Sequence, residues 1–483
     1  MQHVRPFRSI LVAAALVTSA VVAAVPQGAV QAVDDPCATT WCGGGEFHPV
    51  TPTRILDTRS DLNDVAPLGR KSVGNTAPFF DVDLLGRDPI EGGPLDGYEH
   101  QWLPDTVDAG DVLAVFANVT VVRPTVGGNL QAFPTGAAAG TSSVLNFRAG
   151  QTVPNLALLR PSSDGLLRVV LNGATAGTAD VLIDVVGWLS TSSYSATDQA
   201  TARGARLVPV AVPGRILDTR NTAALGPNED RALIIRGADT VTTPVITDIV
   251  PDEPDVTAVV LNLTGIRPTA GTYLSVVPDS LSGSPAGTSN LNLVRNQVKA
   301  ILVVVPIGAD GKVHLYNSLG STHVAVDVVG YLQNGFAENT RNGRIVPLDQ
   351  PFRSFDTREA AFGAVPLGPG QAEDWSFSAF AGSVAIDSVS VGEQSALLGN
   401  LTNASLGRQY GGIPVSSYLS VYPSPLDSSL PPTVSNINTV EGAAVANMAL
   451  VRYGSDKTVR VFNSVGKAHY LLDVYAVVLA DAA

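Results

Sequence analysis

The chain has 483 residues, with 30 Lys and Arg against 43 Asp and Glu, a formal charge of −13 and only 15% charged residues. An acidic chain without a basic patch repels nucleic acid and anionic membranes, so neither is expected as a partner. Its 46 Gly and 33 Pro punctuate short runs rich in Val and Thr, the composition of strands and turns and not of helices.

Arg5 and Arg8 precede an apolar stretch from Ile10 to Val25 and the small-x-small pattern Val30-Gln31-Ala32. Residues 1–32 read as a secretory signal peptide. A membrane anchor is the rival reading, but the apolar run is short of the ~20 residues that a span needs. Loss of 1–32 removes two arginines and no acids, which moves the formal charge from −13 to −15 (−13 − 2). The next segment, 33–47, is a leader that holds the only two cysteines, Cys37 and Cys42. In an exported protein they are expected to close a short disulfide loop, with two free thiols as the alternative. They have no His or Cys companions, so no zinc site is expected. No later stretch reaches spanning length, and the mature chain is expected to be soluble, secreted or held at the cell wall.

Repetition dominates the rest of the chain. Arg54-Ile-Leu-Asp57-Thr-Arg59 recurs as Arg215-Ile-Leu-Asp218-Thr-Arg220 and, altered, as Arg353-Ser-Phe-Asp356-Thr-Arg358. Asn118-Val-Thr120 matches Asn262-Leu-Thr264 and Asn400-Leu-Thr402. Asn129-Leu-Gln-Ala-Phe-Pro134 matches Tyr273-Leu-Ser-Val-Val-Pro278 and Tyr418-Leu-Ser-Val-Tyr-Pro423. Leu145-Asn146 matches Leu291-Asn292 and Ile437-Asn438. Asp184-Val-Val-Gly-Trp188 matches Asp327-Val-Val-Gly-Tyr331 and, more weakly, Asp473-Val-Tyr-Ala. The copies start 161 and 138 residues apart (215 − 54 and 353 − 215), a spacing of whole domains and not of solenoid turns. The expected organisation is copy one at 48–190, a linker at 191–205, copy two at 206–333, a linker at 334–343 and copy three at 344–483. Short strands separated by Gly and Pro turns predict an all-β fold of three tandem antiparallel β-sandwich domains, with 8–10 strands each and a jelly-roll-like topology. In copy two the strands are expected at 258–263, 272–277, 289–293, 300–306, 313–317 and 323–329.

Several of these strands are apolar on both faces, yet Asp184, Asp327 and Asp473 lie inside them. A buried carboxylate needs a partner. The cations that recur near strand-like sequence in all three copies are the motif arginines Arg54, Arg59, Arg215, Arg220, Arg353 and Arg358. A structural ion-pair network is therefore expected in each copy, joining the strand aspartate to an arginine of its own motif, which also holds Asp57, Asp218 or Asp356. Capping of turns at a sheet edge is the alternative. Asn118, Asn146, Asn262, Asn292, Asn317 and Asn463 are expected to bond backbone where strands bend or end. The Asn-x-Thr tripeptides also match glycosylation acceptors, but they lie inside apolar strands.

No catalytic motif marks the chain, and no enzyme activity, metal or cofactor is expected. His48 and His100 belong to copy one alone. His323 and His469 precede the strand aspartates by four residues, where copy one has Asp180. Acidic loops at Asp248–Asp255 and Asp81–Asp96 lack EF-hand spacing and read as solvated turns. The aromatic rings of Tyr273, Tyr418, Trp188 and Tyr331 are the binding candidates, since exposed rings stack on sugars or anchor proteins; packing at domain junctions is the alternative.

The ordered series Arg-Ile-Leu-Asp-Thr-Arg, Leu-Asn-Leu-Thr, Tyr-Leu-Ser-Val-x-Pro, Ser-Asn-Leu-Asn, Tyr-Asn-Ser-x-Gly-Ser and Asp-Val-Val-Gly-Tyr resembles a tandem β-rich repeat of exported actinobacterial proteins. Copy two fits best, from Val208 to Leu332. Copy one has an extra segment near Phe79 to Gln101. Copy three departs at Ser354-Phe355 and lacks the final Gly-Tyr. The resemblance implies an extracellular or envelope-associated accessory module. The resulting expectation is a secreted or cell-envelope-associated, non-catalytic binding or adhesion protein, for cell-wall glycan or a surface protein. The alternatives are a structural spacer or self-associating envelope protein and, last, an unrecognised hydrolase. The linkers suit either a flexible string or a packed pseudo-trimer.

Overall fold

The computed structural model describes residues 44–59, 69–85, 102–104, 106–191, 194, 203–281, 287–337, 340–377, 391–404, 417–425, 434–439 and 444–480. The signal peptide, Cys37, Cys42, His100 and the part of the first acidic stretch beyond Leu85 lie outside them. Copy one supplies β1 (Phe47–Asp57), β2 (Lys71–Val73), β3 (Phe79–Asp83), β4 (Val112–Val122), β5 (Gly128–Pro134), β6 (Leu145–Phe147), β7 (Thr152–Leu159), β8 (Leu166–Gly173) and β9 (Gly177–Ser190). Copy two supplies β10 (Arg206–Asp218), β11 (Glu229–Ile234), β12 (Val256–Ile266), β13 (Thr272–Val277), β14 (Leu291–Leu293), β15 (Val298–Pro306), β16 (Lys312–Asn317) and β17 (His323–Gln333). Copy three supplies β18 (Ile345–Asp356), β19 (Gln371–Ser376), β20 (Gln394–Asn403), β21 (Ser417–Ser424), β22 (Ile437–Thr439), β23 (Val445–Arg452), β24 (Thr458–Asn463) and β25 (Tyr470–Leu479). The helical segments among the described residues are single 3-10 turns, and none is long and apolar enough to cross a membrane.

The strands form six small antiparallel sheets. In copy two the orders are β10-β17-β12-β15 and β11-β16-β13-β14; β1-β9-β4-β7 with β3-β8-β5-β6, and β18-β25-β20-β23 with β19-β24-β21-β22, repeat them in the other copies. Each copy thus has an inner sheet holding its Arg-x-x-Asp motif and an outer sheet. One apolar cluster joins the two sheets of a copy; in copy two it includes Leu261, Leu263, Val303 and Val326 from the inner sheet and Leu274, Leu291 and Leu315 from the outer. Copies one and three have clusters of the same kind.

A fourth cluster belongs to no single copy. Phe116, Leu158 and Leu189 of copy one meet Leu207, Val260, Leu302 and Val304 of copy two and Leu398, Leu450 and Val478 of copy three, all buried. The inner sheets therefore bury both faces, one against their own outer sheet and one against the other copies. Three tandem sandwiches thus become six sheets, of which the three inner ones surround one shared centre. The count is propeller-like, but a propeller has a central channel, and this centre is filled by side chains. The glycine of the Asp-Val-Val-Gly motif serves the same approach: a Cβ at Gly330 would stand 2.8 Å from Leu450 of copy three and 3.0 Å from the Val208 carbonyl.

The segments between copies are part of this body. Phe47 and Ala205 exchange backbone bonds of 2.8 and 2.7 Å, and Gly45 and Ile345 exchange bonds of 2.7 and 2.9 Å. Phe47, at the end of the expected leader, is a core residue at 1% exposure. The preceding Glu46 accepts from Arg206 Nε at 3.1 Å and Arg344 Nη2 at 3.2 Å. These three residues occupy equivalent places in β-sheet register, because Phe47, Leu207 and Ile345 pair with Leu189, Leu332 and Val478. One acid between two arginines closes this end of the central cluster.

Candidate functional site

In each copy the motif strand and the last strand run antiparallel and place arginine beside aspartate: Arg54 opposite Asp184, Arg215 opposite Asp327, Arg353 opposite Asp473. Arg215 donates from Nε to Asp327 Oδ1 at 2.7 Å and from Nη2 to Oδ2 at 3.2 Å, and its Nη1 reaches Asp218 Oδ2 at 3.1 Å. Arg54 makes the same three bonds, at 2.7 and 3.1 Å to Asp184 and 3.3 Å to Asp57. Arg353 makes them at 2.9 and 3.1 Å to Asp473 and 3.3 Å to Asp356. The second motif arginine grips the motif aspartate: Arg59 with Asp57, Arg220 with Asp218, Arg358 with Asp356.

Electrostatics divide the two sets of carboxylates. Burial pushes Asp184, Asp327 and Asp473 above the ordinary carboxyl range against the pull of their arginines. Asp218 is held down at about 2, chiefly by the side-chain bonds from Arg220. Burial also works on Asp57 and Asp356, but the bonds from Arg59 and Arg358 leave both below the usual range. The motif threonine completes the corner. Thr219 Oγ1 lies 3.2 Å from His323 Nδ1 and accepts the Val324 N–H at 2.8 Å; Thr357 does the same with His469 at 3.1 Å and the Tyr470 N–H at 3.0 Å. In copy one Thr58 instead donates to Asp180 at 3.3 Å. Both histidines are thus engaged at a strand junction.

The strand asparagines join the copies in a cycle. Asn118 Nδ2 of copy one donates to the Ser289 carbonyl of copy two at 2.6 Å, Asn262 of copy two to the Ser435 carbonyl of copy three, and Asn400 of copy three to the Ser143 carbonyl of copy one at 2.7 Å. A second ring supports the first. Asn155 donates to Asn400 Oδ1 at 3.1 Å and accepts from the Met448 N–H at 3.1 Å. Asn447 donates to Asn262 Oδ1 at 3.3 Å and accepts from the Leu302 N–H at 3.1 Å. Register places Ile301 where Asn155 and Asn447 stand. Isoleucine has no amide to give, and Asn118 Oδ1 is the buried oxygen of this set left without a hydrogen-bond partner. Asn317 and Asn463 work locally, each donating to three turn carbonyls of its own copy. Asn146, Asn292 and Asn438 lie on the short third strand of the pairs opposite Asn129, Tyr273 and Tyr418.

The aromatic candidates separate. Trp188 is 3% exposed and stacks on His48 with ring centres 4.2 Å apart. It is a core ring and not a surface for ligand, because the rings of His48 and Tyr194 pack on it. Tyr331 is half-buried against the copy-two cluster. Tyr273 and Tyr418 are half-buried on the outer sheets, beside Tyr316 at 5.9 Å and Phe462 at 6.1 Å. The outer sheets also hold pairs that sequence reading missed: Asp81–Arg168 at 2.8 Å, Asp374–Arg460 at 2.6 Å and, in copy two, Asp230–His314 at 2.9 Å. Asp81 faces Arg168 and Asp374 faces Arg460 in an oppositely charged cross-strand register that no motif flags, while Asp230 lies diagonal to His314. Among the described residues no group of three or more His, Cys, Asp or Glu is placed to hold a metal ion.

No family model matches the chain, and no curated protein does. Among solved structures it is similar to the N-terminal tandem of carbohydrate-binding modules from Paenibacillus barcinonensis Xyn10C, at 10% identity over 46% of this chain and 79% of that one, with a TM-score of 0.15. It is also similar to a triple jelly-roll protein of an archaeal virus turret, at 9% identity over 91% of both chains and a TM-score of 0.15. A chain of Sulfolobus turreted icosahedral virus gives 9% identity over 91% of this chain and 92% of that one, with a TM-score of 0.16. Scores this low establish neither a common fold nor a common role.

Asp327→Asn and Arg215→Met, each measured by urea unfolding of the full chain, should each cost about 3–5 kcal/mol, because the partner is left charged and buried. The double variant should lose less than the sum by about 1–3 kcal/mol; strictly additive losses would contradict the pairing. Asn447→Leu orphans the Leu302 N–H, and should cost about 1–3 kcal/mol, whereas an unchanged unfolding midpoint would show that the asparagine ring does not tie the copies together.

Proposed function

We propose that the chain is an exported, envelope-associated, non-catalytic binding protein whose three copies are jelly-roll sandwiches locked into a single pseudo-threefold body. The strand order supports the sandwich reading. Counting the eight principal strands of a copy, one sheet runs first-eighth-third-sixth and the other second-seventh-fourth-fifth, the order of a double-sheet jelly roll with two Greek keys.

The observation that carries the functional reading is the engagement of the signature residues. The motif arginines and aspartates bond one another, and the strand asparagines bond the neighbouring copy, so these groups hold a frame and do not face a substrate. Partner contact then falls to the outer sheets, where Tyr273 and Tyr418 occupy equivalent places in two copies. Half-buried rings of this kind suit stacking on a sugar of a wall glycan or an anchor on a surface protein. Repetition of the site favours a repetitive target through avidity. The sequence of the N-terminal segment supports export.

The test is sedimentation of the purified chain with actinobacterial cell wall. Wild type should co-sediment, and Tyr273→Ala with Tyr418→Ala should release it, each alone releasing less than both together. Equal binding by the double variant would remove the tyrosines from the proposal, and no binding by wild type would leave the wall excluded as the target.

A further inference from the structure

At the end of the central cluster remote from Glu46, the three copies leave a cavity of about 260 Å³. Its lining includes Asn146 and Gln151 of copy one, Gln297 and Lys299 of copy two, and Asn438 of copy three, with Val and Ala methyl groups between them. Lys299 is 7% exposed. Among the described residues neither a carboxylate nor a carbonyl bonds its amine, and the cavity lining contains no other ionisable side chain. The rest of the lining favours donors. The side-chain oxygens of Gln151 and Gln297 accept the Arg148 and Val294 N–H groups at 3.0 and 2.9 Å, and that of Asn438 accepts from Ser435 at 3.5 Å. Among the described residues their NH₂ groups donate to no protein acceptor, which leaves them available to a guest.

We infer that this cavity binds a small organic carboxylate, held by the Lys299 ammonium and the carboxamide NH₂ groups, with its apolar part against the valine and alanine methyls. One cation matches one negative charge. A dianion such as sulfate would keep an uncompensated charge in a largely apolar cavity, which is costly. Burial alone draws the Lys299 amine down to about 7, and a bound carboxylate restores the charged form that burial opposes. Lys299 is also a departure from the repeat. Register sets it opposite Gly265, where copy one has Val153 opposite Val121 and copy three has Val445 opposite Asn403. The frame needs only valine at this place, so the lysine serves something other than the frame.

The experiment uses the full chain at neutral pH and constant ionic strength. Lys299 is reductively methylated with formaldehyde and cyanoborohydride as the hydride donor, and the modified lysines are located by peptide mass spectrometry, with Lys71, Lys312, Lys457 and Lys467 as internal controls. Acetate, butyrate and glucuronate are compared with chloride and sulfate; the first two probe a simple carboxylate and the third a sugar acid. At ten times its Kd a bound carboxylate should slow labelling of Lys299 about tenfold and raise the unfolding temperature, with the controls unmoved. The rise in unfolding temperature should vanish in Lys299→Val, a substitution that the other copies already contain. Protection by none of the carboxylates overturns the inference, as does protection by sulfate equal to theirs or a thermal shift that persists in Lys299→Val. The labelling is read on the wild-type chain, so it decides the matter even where the variant is poorly folded.

Discussion

Leu207, Val260, Leu302 and Val304 lie on the face of the copy-two inner sheet that its own outer sheet does not cover. Exposed to water, each large apolar side chain would forfeit about 1.5–3 kcal/mol. The other two copies hide them, and the same holds in turn for Phe116 and Leu158 and for Leu398 and Leu450. The shared cluster explains why strands such as β12 and β15 are apolar on both faces, why glycine stands at Gly330, and why the connecting segments pair with one another.

The polar framework follows from the same constraint. A strand buried on both faces can hold a carboxylate only if a partner is built in, and the cross-strand register of the motif arginine provides one. Threefold repetition then creates its own conflicts. Three like charges at the axis would repel, and the chain has Glu46, Arg206 and Arg344 there. The asparagine ring is closed by two amides and interrupted by Ile301. The opposite end holds a single lysine in place of a third valine. These departures lie where residues of different copies meet.

Much of the frame was legible from sequence. Landmark order and turn residues placed six of the eight copy-two strands: Val256–Ile266, Val298–Pro306 and His323–Gln333 extend the expected spans by a few residues, whereas β10 and β11 were not among those spans. Asp327 announced a cationic partner because an unpaired charge in Val-Ala-Val-Asp-Val-Val has no solvent. Sequence could not choose Arg215 over Arg220, since that depends on which side of the motif strand meets β17. It could not give Asn262 its partner either, because the Ser435 carbonyl lies 173 residues away in another copy. Glu46 and Phe47 were assigned to the leader because their partners, Arg206 and Ala205, come much later in the chain. Trp188 read as a surface ring because its position at a strand end does not reveal His48 and Tyr194 folding over it.

The shared cluster makes the three copies one cooperative body. Differential scanning calorimetry of the full chain, with Leu302→Asp as the perturbation, tests it most directly. A shared core predicts one transition with equal calorimetric and van't Hoff enthalpies, shifted down as a whole by the substitution. Separate transitions, with only the one assigned to copy two displaced by Leu302→Asp, would contradict it.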